Sequence, residues 1–68
     1  MKININGEEK SVLQEINVYD LLINIELDPQ QSGIAVAIDR EVIPKSQWKT
    51  TVLKEGSEVE IIRAVQGG

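Results

Sequence analysis

Glu58-Val59-Glu60-Ile61-Ile62-Arg63-Ala64-Val65 reads as the longest strand of the chain, and it runs directly into Gln66-Gly67-Gly68. Successive side chains of a strand point to opposite faces, so Val59, Ile61 and Val65 share one face. Arg63 has the same parity and must sit at its rim. Ile62 and Ala64 fall on the other face, with Glu58 and Glu60. A strand with apolar residues on both faces belongs at the centre of a sheet. Ile34-Ala35-Val36-Ala37-Ile38 is its natural neighbour, because it is apolar at every position. Its large residues, Ile34, Val36 and Ile38, are expected to face a helix; Ala35 and Ala37 make the opposite face shallow. If these two strands pair, Ala35, Ala37, Ile62 and Ala64 form one apolar patch on the uncovered side of the sheet. Single exposed apolar residues are ordinary. A contiguous patch beside the Gly67-Gly68 terminus reads instead as a docking surface.

The remaining elements follow outward from that pair. Met1 to Asn6 alternates, with Ile3 and Ile5 on one face, and Asn6-Gly7 is the dipeptide favoured in a type I′ hairpin turn. Glu8 to Leu13 returns as an edge strand. Asn17 stands at a helix N-cap with Asp20 in the first turn, and Val18, Leu21, Leu22 and Ile25 recur at helical spacing. The helix therefore spans Asn17 to Glu26, ended by Asp28-Pro29. Tyr19 reads as a half-exposed helix residue. Asp39-Arg40-Glu41 is a charged turn, and Val42-Ile43 a brief strand that Pro44 stops. Pro44 to Trp48 reads as one helical turn with proline at its first position. Trp48 is a core plug rather than a ligand platform, since no second ring accompanies it. Thr50 to Leu53 reads as another short edge strand and Glu55-Gly56 as a turn.

Composition narrows the chemistry. A 68-residue chain buries only about 60% of its unfolded surface, and this one contains no cysteine and no histidine. Thiolate nucleophiles, Cys/His zinc sites, iron–sulfur ligation and imidazole bases are excluded. Aliphatic packing must hold it. The net charge of −4 argues against nucleic acid and anionic membranes and favours a protein partner with a basic docking face. No stretch reads as a signal peptide or a transmembrane helix, so the expected location is cytoplasmic. The acids are scattered, without paired carboxylates, a glycine-rich phosphate loop or a nucleophile–base pair, so an enzyme is not expected.

The element order describes a mixed sheet of four to five strands wrapped around one helix, the α+β arrangement called β-grasp that ubiquitin shares. One domain is expected over residues 1–65, with a flexible Gly-Gly tail over 66–68. Two terminal glycines lack side chains and tolerate nearly any backbone angle, which suits a chain end that must thread a narrow channel. Fraying is the plain alternative for any terminus.

Several stretches resemble the ThiS family, the sulfur carriers of thiamin biosynthesis. They are Val18-Tyr19-Asp20-Leu21-Leu22, Ile34-Ala35-Val36-Ala37-Ile38, Val42-Ile43-Pro44-Lys45-Ser46-Gln47-Trp48 and Gly67-Gly68. The resemblance implies a carrier with no bound cofactor. A ThiF-type adenylating enzyme would use ATP to activate the Gly68 carboxylate. A persulfide donor would convert it to a thiocarboxylate, and a ThiG-type thiazole synthase would take the sulfur. Gly67 would give the tail access to these active sites. Other readings share the tail: a molybdopterin-synthase small subunit with a different acceptor, a ubiquitin-like modifier forming isopeptide bonds, or an interaction domain whose tail is inert.

Overall fold

The computed structural model describes residues 1–64. The element order is β1 (Lys2–Ile5), β2 (Glu8–Ser11), α1 (Val18–Asn24), β3 (Ile34–Ile38), β4 (Glu41–Ile43), a 3₁₀ turn (Lys45–Gln47) and β5 (Glu58–Arg63). The five strands form one sheet in the order β2-β1-β5-β3-β4. β5 is central as expected, parallel to β1 through Asn4↔Glu58 and Ile5↔Val59. Against β3 it is antiparallel, from Ile34↔Arg63 to Ile38↔Val59. The sheet is mixed and curls around the helix, so the β-grasp expectation holds.

The opening hairpin turns where the Asn6-Gly7 pair requires it. Asn6 has φ 51° and Gly7 φ 86°, the positive values of a type I′ turn. β2 is fully exposed and lies at the sheet edge. Its regular pairing stops at Ser11, so Leu13 lies beyond the strand and is solvent-exposed. The β3–β4 hairpin uses the same turn geometry, with φ 49° at Asp39 and 71° at Arg40.

The core lies between the sheet and α1. Val18, Leu21 and Leu22 are fully buried, facing Ile3, Val36, Val59 and Ile61 across the layer. Asn17 caps the helix, its Oδ1 accepting from the Asp20 N–H at 2.6 Å. Trp48 closes one end of the core at 2% exposure, and its Nε1–H donates to the Ile43 carbonyl at 3.0 Å. That bond satisfies the one polar atom a buried indole carries. The ring is therefore a plug, although the Lys45 Nζ stands 5.7 Å from its centroid.

Three sequence expectations are corrected. The helix does not extend to Glu26. It ends at Asn24, because Glu26 takes φ 66° and a reversed pattern of bonds closes the end: Glu26 N–H to Ile23 C=O and Leu27 N–H to Leu22 C=O. This is a Schellman motif with glutamate where glycine is usual. Thr50 to Leu53 is not a strand but a single bridge, Asn17↔Val52. The Thr50 and Thr51 hydroxyls donate back to the Gln47 carbonyl at 3.2 and 2.8 Å, a local bond that competes with a ladder. The Leu53 N–H reaches Ile16 C=O instead. Finally, Pro44 precedes the 3₁₀ turn as its cap, at φ −58° and ψ 144°, rather than opening it.

The helix C-terminus generates a stability prediction. A non-glycine residue in the left-handed region costs about 1–2 kcal/mol. Glu26→Gly is expected to raise the unfolding free energy by roughly 1 kcal/mol, shown by a shift in urea midpoint at constant m-value.

Candidate functional site

The face of the sheet turned away from the helix is uncovered, and its composition divides in two. The β3–β5 register places Ala35 directly opposite Ile62 and Ala37 opposite Glu60. Ala64 lies two residues beyond Ile62 on the same face. Its N–H donates to the Gly33 carbonyl at 2.7 Å, which extends the ladder past the end of β5. Gly33 makes this possible at φ +84°, a conformation that other residues adopt only with strain. Ile62 is 61% exposed, Ala35 and Ala64 are exposed, and Ala37 is half-buried. All four residues named from the sequence thus share one open face.

The structure adds a fifth member. Ala37 pairs with Val42 across the β3–β4 hairpin, which puts Val42 on the same face at 70% exposure. The signal was present: the two-residue Asp39-Arg40 turn makes Ile38 face Glu41 and sets the parity of everything after it. Beside this apolar half lies a polar one. Glu58 and Glu60 on β5, Asn4 on β1 and Glu9 on β2 occupy the same face. A hollow of about 600 Å³ runs along it, bordered by Asn4, Glu58 and Glu60. Lys2 adds a cation, paired loosely with Glu9 at 3.7 Å between two exposed side chains. The face therefore offers an apolar contact with an acidic flank.

β5 holds this face and leads to the tail. Gly67 and Gly68, with Val65 and Gln66, lie outside the described residues. No group of three or more acidic, histidine or cysteine side chains that could hold a metal occurs among the described residues. No helix there is long and apolar enough to cross a membrane.

The ThiS family model matches residues 3–68. The chain belongs to the ThiS family. It is 28% identical to the sulfur carrier protein ThiS of Escherichia coli (strain K12), over 100% of both chains. It is also 32% identical to a thiazole synthase of Paramagnetospirillum magneticum (strain ATCC 700264 / AMB-1), covering all of this chain but 20% of that protein. Among solved structures, the crystal structure of ThiS from Geobacter metallireducens superposes with a TM-score of 0.84 at 27% identity, with full coverage of both chains. The solution structure of a thiamine biosynthesis protein from the same organism gives 0.81 at 27% identity, covering 100% of this chain and 88% of that one. Membership carries the family's general role with it: a small β-grasp sulfur carrier serving thiamin biosynthesis, not a catalyst.

The division between buried and open faces can be checked on two adjacent residues. Ile61→Ala should cost about 2–4 kcal/mol, because Ile61 is 9% exposed within the core. Ile62→Ala should stay within about 0.5 kcal/mol. Paired denaturation curves separate them, and equal losses would mean the two faces are not as described.

Proposed function

We propose that the chain carries sulfur as a thiocarboxylate on Gly68, and that Ala35, Ala37, Val42, Ile62 and Ala64 form the surface its partner enzymes hold. The observation that supports this reading is the position of the apolar patch. It spans β3, β4 and the end of β5, and its Ile62 and Ala64 lie on the segment from which the tail departs, so docking the patch also delivers the tail. Four further residues, fully extended, reach at most roughly 14 Å beyond Ala64. A partner that grips the patch therefore finds the Gly68 carboxylate within a sphere of about that radius.

The chemistry asks little of the carrier. A carboxylate is a poor electrophile, because its oxygen is a poor leaving group. On a ThiF-type enzyme the Gly68 carboxylate oxygen attacks the α-phosphorus of ATP and pyrophosphate departs. A persulfide sulfur then attacks the carbonyl carbon, and AMP leaves with the C–O electron pair. A thiol opens the remaining S–S bond to leave the thiocarboxylate. None of these steps needs an acid, base or nucleophile from the carrier, in keeping with a chain that has no histidine or cysteine. Gly67 leaves the last peptide without a side chain, which suits a tunnel that must close around it.

A ThiG-type thiazole synthase is the proposed acceptor. Support comes from the Paramagnetospirillum magneticum thiazole synthase, one fifth of which matches this whole chain. Joining the two partners in one polypeptide raises the effective concentration of one for the other. The acidic flank of Glu58 and Glu60 steers the carrier toward basic partner surfaces, a contribution that salt should weaken.

Two experiments test the reading. Incubation with ATP, a sulfur donor and the activating enzyme should add the mass of one sulfur-for-oxygen exchange. Deleting Gly68 should abolish that gain, and Gly67→Ala should slow it; an unchanged gain in the truncated chain refutes the assignment. Ile62→Glu should weaken binding to the activating enzyme at least about tenfold, since it buries an unpaired charge in the contact. Unaltered binding would move the docking surface elsewhere.

A further inference from the structure

β1 is too short to hold β5 along its whole length. Its backbone pairs with β5 only at Asn4↔Glu58 and Ile5↔Val59, and Gly7 then turns the chain away. β5 continues for four residues past Val59, to Arg63. Backbone groups of alternate residues along a central strand point to alternate neighbours. On β5, Glu58 bonds to Asp39 and Ala64 to Gly33, both on the β3 side. The N–H and C=O of Ile61 therefore point the other way, to the side where β1 has already ended.

The Asn6 side chain stands in that place. Its Oδ1 accepts from the Ile61 N–H at 2.9 Å, and its Nδ2 donates to the Ile61 carbonyl at 3.2 Å. Its own backbone N–H donates to the Val59 carbonyl at 2.9 Å. A primary carboxamide presents one acceptor and one donor in a plane, as a peptide unit does. Asn6 thus extends the ladder by one step after the β1 backbone has turned away. Aspartate has the length without the donor, glutamine has the donor but one methylene too many, and glycine keeps the turn while offering neither group.

We infer that Asn6 is a positioning residue for the reactive tail: its carboxamide fixes the second edge of β5 at Ile61, and so the direction in which the chain leaves toward Gly68. Without it, residues beyond Val59 are held along the β3 edge alone. The Ile61 N–H and C=O also lose partners in a part-buried site. The docking contacts from Ala35, Ala37 and Val42 do not depend on Asn6, because they belong to β3 and β4. Loosening the root of the tail therefore spreads the positions that Gly68 samples after docking. Catalysis by proximity falls while association is largely kept.

This inference rests on the reading of Gly68 as the activated residue, and the test has one arm that does not. Asn6→Gly retains a residue that accepts positive φ and removes only the carboxamide. Asn17→Ala, which removes the helix cap far from β5, serves as the control of comparable stability loss. By NMR amide exchange, Ile61 in Asn6→Gly should exchange about tenfold faster than in Asn17→Ala, because a local tether has been lost rather than global stability. In adenylation by a ThiF-type enzyme, kcat for Asn6→Gly should fall about tenfold with KM changed much less, whereas Asn17→Ala should match the parent. Asn6→Asp keeps an acceptor for the Ile61 N–H but cannot donate to the Ile61 carbonyl, so its Ile61 exchange should fall between those of the parent and Asn6→Gly. Equal Ile61 exchange in the two variants, or equal kcat, overturns the inference. A parent chain that is never adenylated overturns the carrier chemistry instead, and the exchange comparison still decides the role of Asn6.

Discussion

β5 is the constraint on which the rest of this domain depends. It lies at the middle of the sheet order, parallel to β1 on one side and antiparallel to β3 on the other. Its two faces serve opposite purposes. Val59 and Ile61 seal the core, at 1% and 9% exposure, while Ile62 stands open on the other side. A shift of one residue in its register would exchange these sets, exposing the core side chains and burying the glutamates Glu58 and Glu60. Core packing and surface chemistry are thereby tied to one alignment. That tie is strong: a slip would cost the burial of several aliphatic side chains, each contributing about 1.5–3 kcal/mol.

The domain tolerates local strain because this alignment over-determines its turns. Among the described residues, five that are not glycine, Asn6, Glu15, Glu26, Asp39 and Arg40, hold positive φ. Each costs on the order of 1 kcal/mol in isolation. The strained turns sit beside bonds between distant parts of the chain. Asp39, for example, donates its N–H to the Glu58 carbonyl while its carboxylate accepts from the Glu58 N–H. Glu26 is held by the bonds that close α1. No buried side-chain nitrogen or oxygen among the described residues lacks a partner. For a small core without disulfides, complete polar satisfaction matters, since one orphaned group costs about 1–3 kcal/mol.

A single helix can cover only one side of the sheet, and that limit connects fold to function. The open side is lined by small and medium apolar residues, Ala35, Ala37, Val42, Ile62 and Ala64, beside a glutamate row. Such a surface suits the proposed transient contact with acidic steering. Under the proposed function, a carrier held in turn by more than one enzyme would use that combination of apolar area and charge. In the proposed function the reactive group is the Gly68 carboxylate, and the folded domain supplies the contact rather than the chemistry.

Sequence alone determined what depends on local periodicity and local turn chemistry. The two-residue period of β3 and β5, the helical spacing of Val18, Leu21 and Leu22, the Asn17 cap and the Asn6-Gly7 turn are all encoded within a few residues. They sufficed for the β-grasp reading, for Trp48 as a plug and for the apolar face of Ala35, Ala37, Ile62 and Ala64. Tertiary structure decided whatever requires residues far apart to meet. The helix end at Asn24 comes with the positive φ of Glu26 and the bonds that close there, before the Asp28-Pro29 signal is reached. Thr50 and Thr51, β-branched and strand-prone, are drawn back to Gln47 by bonds that only a preceding 3₁₀ turn makes available. Val42 joined the open face through its pairing with Ala37. The grip of Asn6 on Ile61, across 55 positions, follows from a parallel pairing for which a single sequence carries no local signal.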